Sequence, residues 1–71
     1  MRENAGYEII CALTVGDREI VLGKNGNRQW VTWECKDGSD YYWGHYWIDE
    51  LEAKADFGNR IAELAKLISE V

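Results

Sequence analysis

The sequence contains no proline, only two cysteines, and no apolar run long enough to span a membrane. A spanning helix needs about 20 mostly apolar residues, and a disulfide scaffold needs more cysteines. The first residues lack the apolar core of a signal peptide, so we expect a cytoplasmic protein rather than a secreted precursor. Bases are also scarce, since 8 Lys and Arg accompany 13 Asp and Glu. The net charge of −5 argues against a nucleic-acid partner, because phosphate neutralisation dominates such affinity.

The chain has the composition of one small globular domain spanning residues 1–71. Apolar residues make up 46% and aromatic residues 13% of its 71 residues, more than a disordered chain carries. A domain of this size buries only about 60% of its extended-chain surface. That leaves little room for a substrate cleft of about 300–1,000 Å³, so we expect no enzyme and no small-molecule substrate.

Three dipeptides typical of tight turns divide the first half of the chain. They are Gly16-Asp17, Asn25-Gly26 and Asp37-Gly38. Such pairs tolerate the positive φ that two-residue hairpin turns require. The stretches between them are rich in β-branched and aromatic residues, which fit a pleated sheet. We therefore predict a four-stranded antiparallel meander with strands over residues 7–15, 18–23, 28–36 and 40–47.

The rest of the chain has the pattern of a helix over residues 49–70. Asp49 followed by Glu52 matches a capping box. Gly58 is about 1 kcal/mol less favourable than alanine in a helix, so a kink or two shorter helices is the alternative to one straight helix. The predicted fold class is α+β, in the order ββββα, with the helix packed on one face of the sheet.

Two-residue turns fix a register and thereby two sheet faces. Val21 is then opposite Trp30 and Thr32 opposite Trp43, while a three-residue third loop would exchange the faces of the last strand. The mostly aliphatic face comprises Tyr7, Ile9, Cys11, Leu13, Val15, Ile20, Leu22, Val31, Trp33, Cys35, Tyr42 and Tyr46. The helix stripe predicted to cover it comprises Ala53, Phe57, Ile61, Leu64, Ile68 and Val71.

The second face would have no covering layer. Its members predicted to bind a protein partner, or a second copy of the chain as a homodimer, are Trp30, Tyr41, Trp43, His45 and Trp47. Burying one large apolar side chain contributes about 1.5–3 kcal/mol, and Trp and Tyr are enriched in interface hot spots. The alternative is that the tryptophans pack on one another beneath residues 1–6.

Five carboxylates form a second stripe on the predicted helix. They are Asp49, Glu52, Asp56, Glu63 and Glu70. A solvated helix face explains this pattern. The other interpretation is a surface that imitates nucleic-acid phosphates and occupies a basic protein.

Residues capable of catalysis or metal binding do not converge in this register. Cys11, Cys35 and His45 lack the spacing of a zinc site. The predicted faces also separate both thiols from His45, whereas nucleophilic catalysis needs them adjacent. No phosphate-binding glycine motif is present. We expect no metal, no cofactor and no catalytic residue, with both cysteines as buried apolar residues.

Residues 18–23, 31–33 and 41–46, followed by an alanine-rich helix with Asp56-Phe57, carry one family resemblance. The whole chain resembles uncharacterised small proteins encoded on conjugative elements and phages of Gram-positive bacteria. That resemblance implies no activity. It does imply a role in host interaction, such as blunting a defence system.

Trp43-Gly44-His45 ahead of a single helix is similar to the WGR domain, a sheet-plus-helix module of poly-ADP-ribose polymerases and some bacterial proteins. In that family, the Trp-Gly-Arg motif supports DNA and interdomain contacts. Trp43 and Gly44 match the motif, whereas His45 replaces its arginine and so loses a permanent cation. The similarity covers about half of the chain.

Our preferred interpretation is a small non-enzymatic protein–protein interaction module that uses an aromatic sheet face. The alternative is an acidic inhibitor from a mobile element that binds a basic host protein. A weaker alternative is a WGR-like nucleic-acid accessory domain.

Overall fold

The computed structural model describes residues 2–69 as one antiparallel sheet followed by one helix. Neighbouring strands follow chain order, so the sheet is a meander without crossovers. The elements are β1 (Glu3–Asn4), β2 (Tyr7–Val15), β3 (Arg18–Lys24), β4 (Trp30–Lys36), β5 (Asp40–Trp47) and α1 (Glu50–Ser69). The α+β class is confirmed, whereas the predicted four strands become five.

The additional strand, β1, forms a hairpin with the start of β2. Its turn is Ala5-Gly6, with positive φ angles of 51° and 84°, and Asn4 lies opposite Tyr7. Alanine seldom adopts a positive φ. Ala5-Gly6 is therefore not one of the dipeptides that typically mark a hairpin turn.

The helix α1 is continuous through Gly58, so the single-helix prediction holds without a break. Asp49 caps it, because its Oδ1 accepts a hydrogen bond of 3.0 Å from the backbone N–H of Leu51. This helix does not contain a long enough apolar stretch to cross a membrane, and residues 2–69 contain no other helix.

The turn between β2 and β3 has the predicted form. Val15 lies opposite Arg18, which leaves Gly16 and Asp17 as the two turn residues. Gly16 has a φ of 64°, as the first central residue of a type II′ turn requires. The pairing of Leu13 with Ile20 follows from this turn, as predicted.

The loop between β3 and β4 differs from the prediction, since it contains five residues rather than two. Lys24 lies opposite Trp30, so residues 25–29 form the loop. The Oδ1 of Asn25 accepts hydrogen bonds from the backbone N–H groups of Asn27 (2.9 Å) and Gln29 (3.0 Å). Arg28 then adopts a φ of 59°. An Asx turn with one left-handed residue therefore closes this hairpin.

This longer loop reverses the face assignment of β4. Val21 is opposite Trp33 rather than Trp30, and Leu22 is opposite Thr32. Because side chains alternate along a strand, an odd register shift moves every β4 side chain to the other face. Trp30 therefore lies on the same face as Leu22.

The last hairpin has a three-residue loop, which was the alternative left open by the turn pattern. Lys36 is opposite Asp40, and the register shifts by one residue between Glu34 and Thr32. The shift is a β-bulge at Trp43-Gly44, and it places Thr32 opposite His45. The bulge offsets the odd loop length, so Thr32, His45 and Trp47 share one face.

The helix covers the face that carries Leu22 and Trp30. Ala53 packs on these two residues, with Phe57 and Trp47 against the same cluster. Within the predicted helix stripe, Ala53 and Leu64 are buried and Phe57 and Ile61 are half-buried, whereas Ile68 is exposed. Val71 lies outside the described residues.

The opposite face has its own buried cluster, formed by Val21, Val31, Trp33 and Cys35. Tyr7, Ile9 and Tyr41 pack against it. Tyr7 and Ile9 reach this face because β2 has an irregularity between Ile9 and Cys11. The prediction that these two residues lie on the helix-covered face is therefore wrong.

Arg2, just before β1, closes this second cluster. Its guanidinium donates two hydrogen bonds of 3.1 Å to the carboxylate of Glu19 and one of 3.0 Å to the hydroxyl of Tyr41. It also lies 3.6 Å from the Sγ of Cys35. Arg2 thus contacts the aromatic cluster of this face through Tyr41. The tryptophan in that cluster is Trp33, rather than Trp30, Trp43 or Trp47 as the alternative predicts.

Candidate functional site

The structure distributes the predicted aromatic contact residues over different environments. Trp30 is only 6% exposed and lies beneath α1. Trp47 packs against the same cluster, and its buried Nε1 has no hydrogen-bond partner among the described residues. Tyr41 belongs to the opposite face, against Trp33. The prediction that these residues share one open face is wrong. The five-residue loop places Trp30 on the face that α1 covers, and Tyr41 lies on the opposite face.

Trp43 and His45 remain together, at the rim of a groove between the sheet and α1. The groove has a volume of about 510 Å³, which lies within the range of ligand clefts. The length of the chain predicts little room for such a cleft, and the groove is larger than that prediction allows. Arg18, Ile20 and Glu34 line it from the sheet, and Asp56, Arg60, Glu63 and Leu67 line it from the helix.

A hydrogen-bond chain runs along the groove wall from β5 to α1. The buried hydroxyl of Thr32 donates to Oδ2 of Asp56. Nδ1 of His45 lies 2.9 Å from the same carboxylate oxygen. This geometry makes Nδ1 the protonated nitrogen of His45 and leaves its Nε2 for solvent or a ligand.

Arg60 completes the chain from the helix side. Its Nη1 donates to the carbonyl oxygen of Thr32 (2.9 Å) and to its Oγ1 (3.0 Å), while its Nη2 donates to the carbonyl of Trp43 (2.6 Å). The bulge frees the Trp43 carbonyl from the regular strand ladder. Arg60 therefore ties the β-bulge to α1.

The electrostatics of this chain favour an ionised Asp56. Burial opposes ionisation, but the hydrogen bonds from Thr32 and His45 and the positive charge of Arg60 outweigh it. The pKa of the Asp56 carboxyl is consequently lowered from its ordinary value of 3.8. A charged Asp56 keeps His45 oriented into the groove at neutral pH.

Glu34 is a buried carboxylate on the groove floor, and it is paired with Arg18. The Nη1 of Arg18 lies 2.8 Å from Oε1 of Glu34. Burial of an unpaired carboxylate would be strongly unfavourable. This ion pair therefore fixes both side chains in the floor.

Trp43 is the most prominent side chain at the groove. It is 66% exposed and has a φ of 54°. A left-handed backbone is uncommon for a bulky residue, and it stores strain of about 1–3 kcal/mol. Its ring makes an edge contact with Tyr42 at a centroid distance of 4.9 Å. The bulge thus holds a large apolar side chain in solvent at the expense of backbone strain.

Gly44 is required by close packing at the bulge. A Cβ at this position would lie 2.7 Å from Nε1 of Trp33 and 3.0 Å from the ring of Tyr46. We expect Gly44→Ala to lower the free energy of unfolding by about 1–3 kcal/mol, as overpacking does. Urea denaturation followed by circular dichroism measures this change.

Gly58→Ala is the matched control for that substitution. A Cβ at Gly58 meets no atom within 4 Å among the described residues. Alanine is the better helix former, so this variant should be more stable than the wild type by up to about 1 kcal/mol. Equal losses in both variants would contradict the close packing of Gly44.

The predicted acidic stripe is not one solvated surface. Asp49 caps α1 and Asp56 turns toward Thr32 and His45, whereas Glu52 is exposed and Glu63 lines the groove. Glu70 lies outside the described residues. Two of the five carboxylates are thus engaged in local structure.

The two cysteines are both free thiols in different surroundings. Cys35 is fully buried, and burial raises the pKa of its thiol. Cys11 is exposed on β2, so its prediction as a buried residue is wrong. Within residues 2–69 no group of three His, Cys, Asp or Glu side chains is arranged to hold a metal ion.

Arg18, Glu34 and Arg60 belong to the groove but are not among the site residues that the sequence pattern predicts. Polar Thr32 and Glu34 in an otherwise apolar strand, and Asp56 and Arg60 one helical turn apart, were the available signals. Comparison of the chain with protein-family models, curated proteins and solved structures finds no match, so inferences about function rest on the chemistry of this groove.

Proposed function

We propose that this protein is a small, non-enzymatic protein-recognition module that binds its partner through Trp43 and the adjacent groove. The observation that carries the proposal is the exposure of Trp43 on a strained β-bulge. Backbone strain persists where the surrounding structure imposes it and is concentrated at functional sites. Exposed tryptophan is also the residue type most enriched among interface hot spots.

The charges at the groove favour a basic segment with a large apolar side chain. The lining carboxylates outnumber the lining arginines by one, and the whole chain carries −5. A cation can also bind against the face of the Trp43 indole. The groove offers Leu67 and Ile20 as apolar lining. The partner segment we propose therefore places Lys or Arg beside a large apolar residue.

His45 supplies orientation rather than catalysis in this proposal. Asp56 holds its ring, and its Nε2 can accept a hydrogen bond from a partner N–H. Among the described residues that line the groove, none is a serine, cysteine or lysine that His45 could activate as a nucleophile. The groove is therefore suited to binding.

Selection from a displayed random-peptide library tests the proposal. We expect the selected peptides to combine basic and large apolar residues. Trp43→Ala should weaken a selected peptide by about thirtyfold, the effect of losing a hot spot of about 2 kcal/mol. Fluorescence anisotropy of the labelled peptide measures this, and affinity should fall as salt is added.

Leu51→Ala is the control for that measurement. Leu51 is also a large exposed apolar residue, at 75%, but it lies at the start of α1 and does not line the groove. Its substitution should leave peptide affinity unchanged. Selection of acidic peptides, or equal binding by the Trp43→Ala variant, would show that the proposal is wrong.

The acidic-inhibitor alternative uses the carboxylates of α1 instead of Trp43. Exposed Glu52 and groove-lining Glu63 support it. The double variant Glu52→Lys, Glu63→Lys should abolish binding under that alternative, whereas Trp43→Ala should not. The WGR-like alternative has less support, because His45, in place of the arginine, already engages Asp56.

A further inference from the structure

The outer edge of β2 is open over most of its length. β1 pairs only with Tyr7 and Glu8, and the N–H of Ile9 donates to the carbonyl of Arg2. Within residues 2–69, no strand pairs with the outer side of residues 10–15. We call residues 10–15 the open edge.

The backbone groups that point outward from the open edge follow from the β2–β3 turn. In a hairpin with a two-residue turn, the residues flanking the turn form a hydrogen-bonded pair, and such pairs alternate with non-hydrogen-bonded ones. Val15 and Leu13 therefore bond to β3. Ala12 and Thr14 direct their N–H and C=O groups away from the sheet.

From Cys11 to Val15 the open edge lacks the protection that edge strands ordinarily carry, because the irregularity of β2 lies at its end, at Ile10. None of its six side chains, Ile10, Cys11, Ala12, Leu13, Thr14 and Val15, is charged, and none is proline. Natural sheets guard exposed edges with charges, prolines or bulges. The other outer strand of this sheet, β5, is interrupted by the bulge at Trp43-Gly44. β2 is therefore the edge that can accept another strand.

We propose that a second copy of this chain occupies the open edge, pairing β2 with β2 about a two-fold axis at Leu13. In this register Ala12 lies opposite Thr14 of the other copy, and each such pair exchanges two backbone hydrogen bonds. Leu13 lies opposite Leu13 of the other copy in a non-hydrogen-bonded pair, in which the two Cα atoms are closer than in a hydrogen-bonded pair. The outward groups of Ala12 and Thr14 are then all satisfied, and the two sheets become continuous.

Charge and apolar exposure both favour a second copy as the occupant. All of the excess acid lies in residues 37–71, whereas the side chains of the open edge are uncharged. Two copies therefore meet there without bringing like charges together. Leu13 is 47% exposed. Ile68 is also exposed, and its Cδ1 would lie 2.7 Å from a Cβ at Gly16, so it borders the same end of β2. A two-fold contact buries these apolar groups from both copies.

Sedimentation equilibrium tests the proposal and does not depend on the proposed function. We expect a wild-type dimer whose dissociation constant rises at least tenfold in Leu13→Asp, since like charges would meet at the axis. Leu67→Asp is the matched control, because Leu67 is exposed at the groove and not at the open edge. It should remain dimeric. Circular dichroism establishes that both variants are folded.

Cysteine cross-linking tests the register itself. In a Cys11→Ser background, Leu13→Cys should form a disulfide-linked dimer on diamide oxidation, because the two Cα atoms would lie about 4.5 Å apart. Val15→Cys should not form a disulfide, because the two introduced cysteines would lie four residues, or about 13 Å, apart along the paired strands. A wild-type monomer up to about 1 mM, or equal cross-linking of both variants, would overturn the proposal. Peptide binding could still be retained in either case.

Discussion

Trp30→Ala should lower the free energy of unfolding by about 3–5 kcal/mol, the range for loss of a buried tryptophan. Trp30 is almost fully enclosed by Leu22, Ala53 and neighbouring side chains beneath α1, so its removal leaves a cavity between the sheet and the helix. Small domains have stabilities of about the same size. The variant should therefore be largely unfolded at room temperature. Far-ultraviolet circular dichroism of the variant without denaturant measures the fraction that remains folded, and urea denaturation of the wild type gives the reference free energy of unfolding.

Trp43→Ala is the matched control for Trp30→Ala. The same atoms are removed, but this side chain is mostly in solvent, so stability should change by about 0.5 kcal/mol or less, as for exposed positions. The two variants separate the tryptophan that holds the fold from the tryptophan that we propose binds a partner. Equal destabilisation would contradict the placement of β4 beneath α1.

Arg60→Met should be the second large effect, with a loss of about 3 kcal/mol. Methionine retains an apolar stem but removes the donors to the carbonyls of Thr32 and Trp43. The carbonyl of fully buried Thr32 is left without this donor, which costs about 1–3 kcal/mol. The Trp43 carbonyl is open to solvent, and Asp56 also loses a nearby positive charge. Thermal unfolding by circular dichroism measures the change.

A second readout distinguishes Arg60 from a residue that only stabilises the helix. Loss of the bond to the Trp43 carbonyl should loosen the β-bulge, so amide hydrogen exchange should accelerate at Gly44 more than at Leu22. Lys66→Met provides the control, because this basic residue lies in the last helical turn and has no groove contact. Similar losses of stability in both variants would contradict the conclusion that Arg60 connects α1 to the β-bulge.

The class of the fold follows from local sequence signals, and the face assignment does not. Turn dipeptides and residue composition locate β2 and β5 at their observed bounds, 7–15 and 40–47. They do not specify that the side chain of Asn25 organises a five-residue loop. A two-residue turn and a five-residue loop differ by an odd number, and that parity alone decides which side of β4 meets the helix.

The candidate site was predictable only in part, for a related reason. The predicted register places Thr32 and His45 on one face, and they do share it. Arg60 and Asp56 belong to α1, however, and their contact with Thr32 depends on where the helix crosses the sheet. Crossing position is set by packing among residues distant in the chain, which periodicity does not encode.

The hydrogen bonds of Arg2 have a consequence for the order in which the elements fold during protein synthesis. Its partners Glu19 and Tyr41 lie 17 and 39 residues further along the chain. The segment that carries Arg2 therefore reaches its final position only after the β4–β5 hairpin has formed. Contacts of such long sequence separation slow folding, because loop closure precedes the energy gained. Until β5 has paired with β4, Arg2 therefore lacks Tyr41, one of the side chains that hold its guanidinium in place.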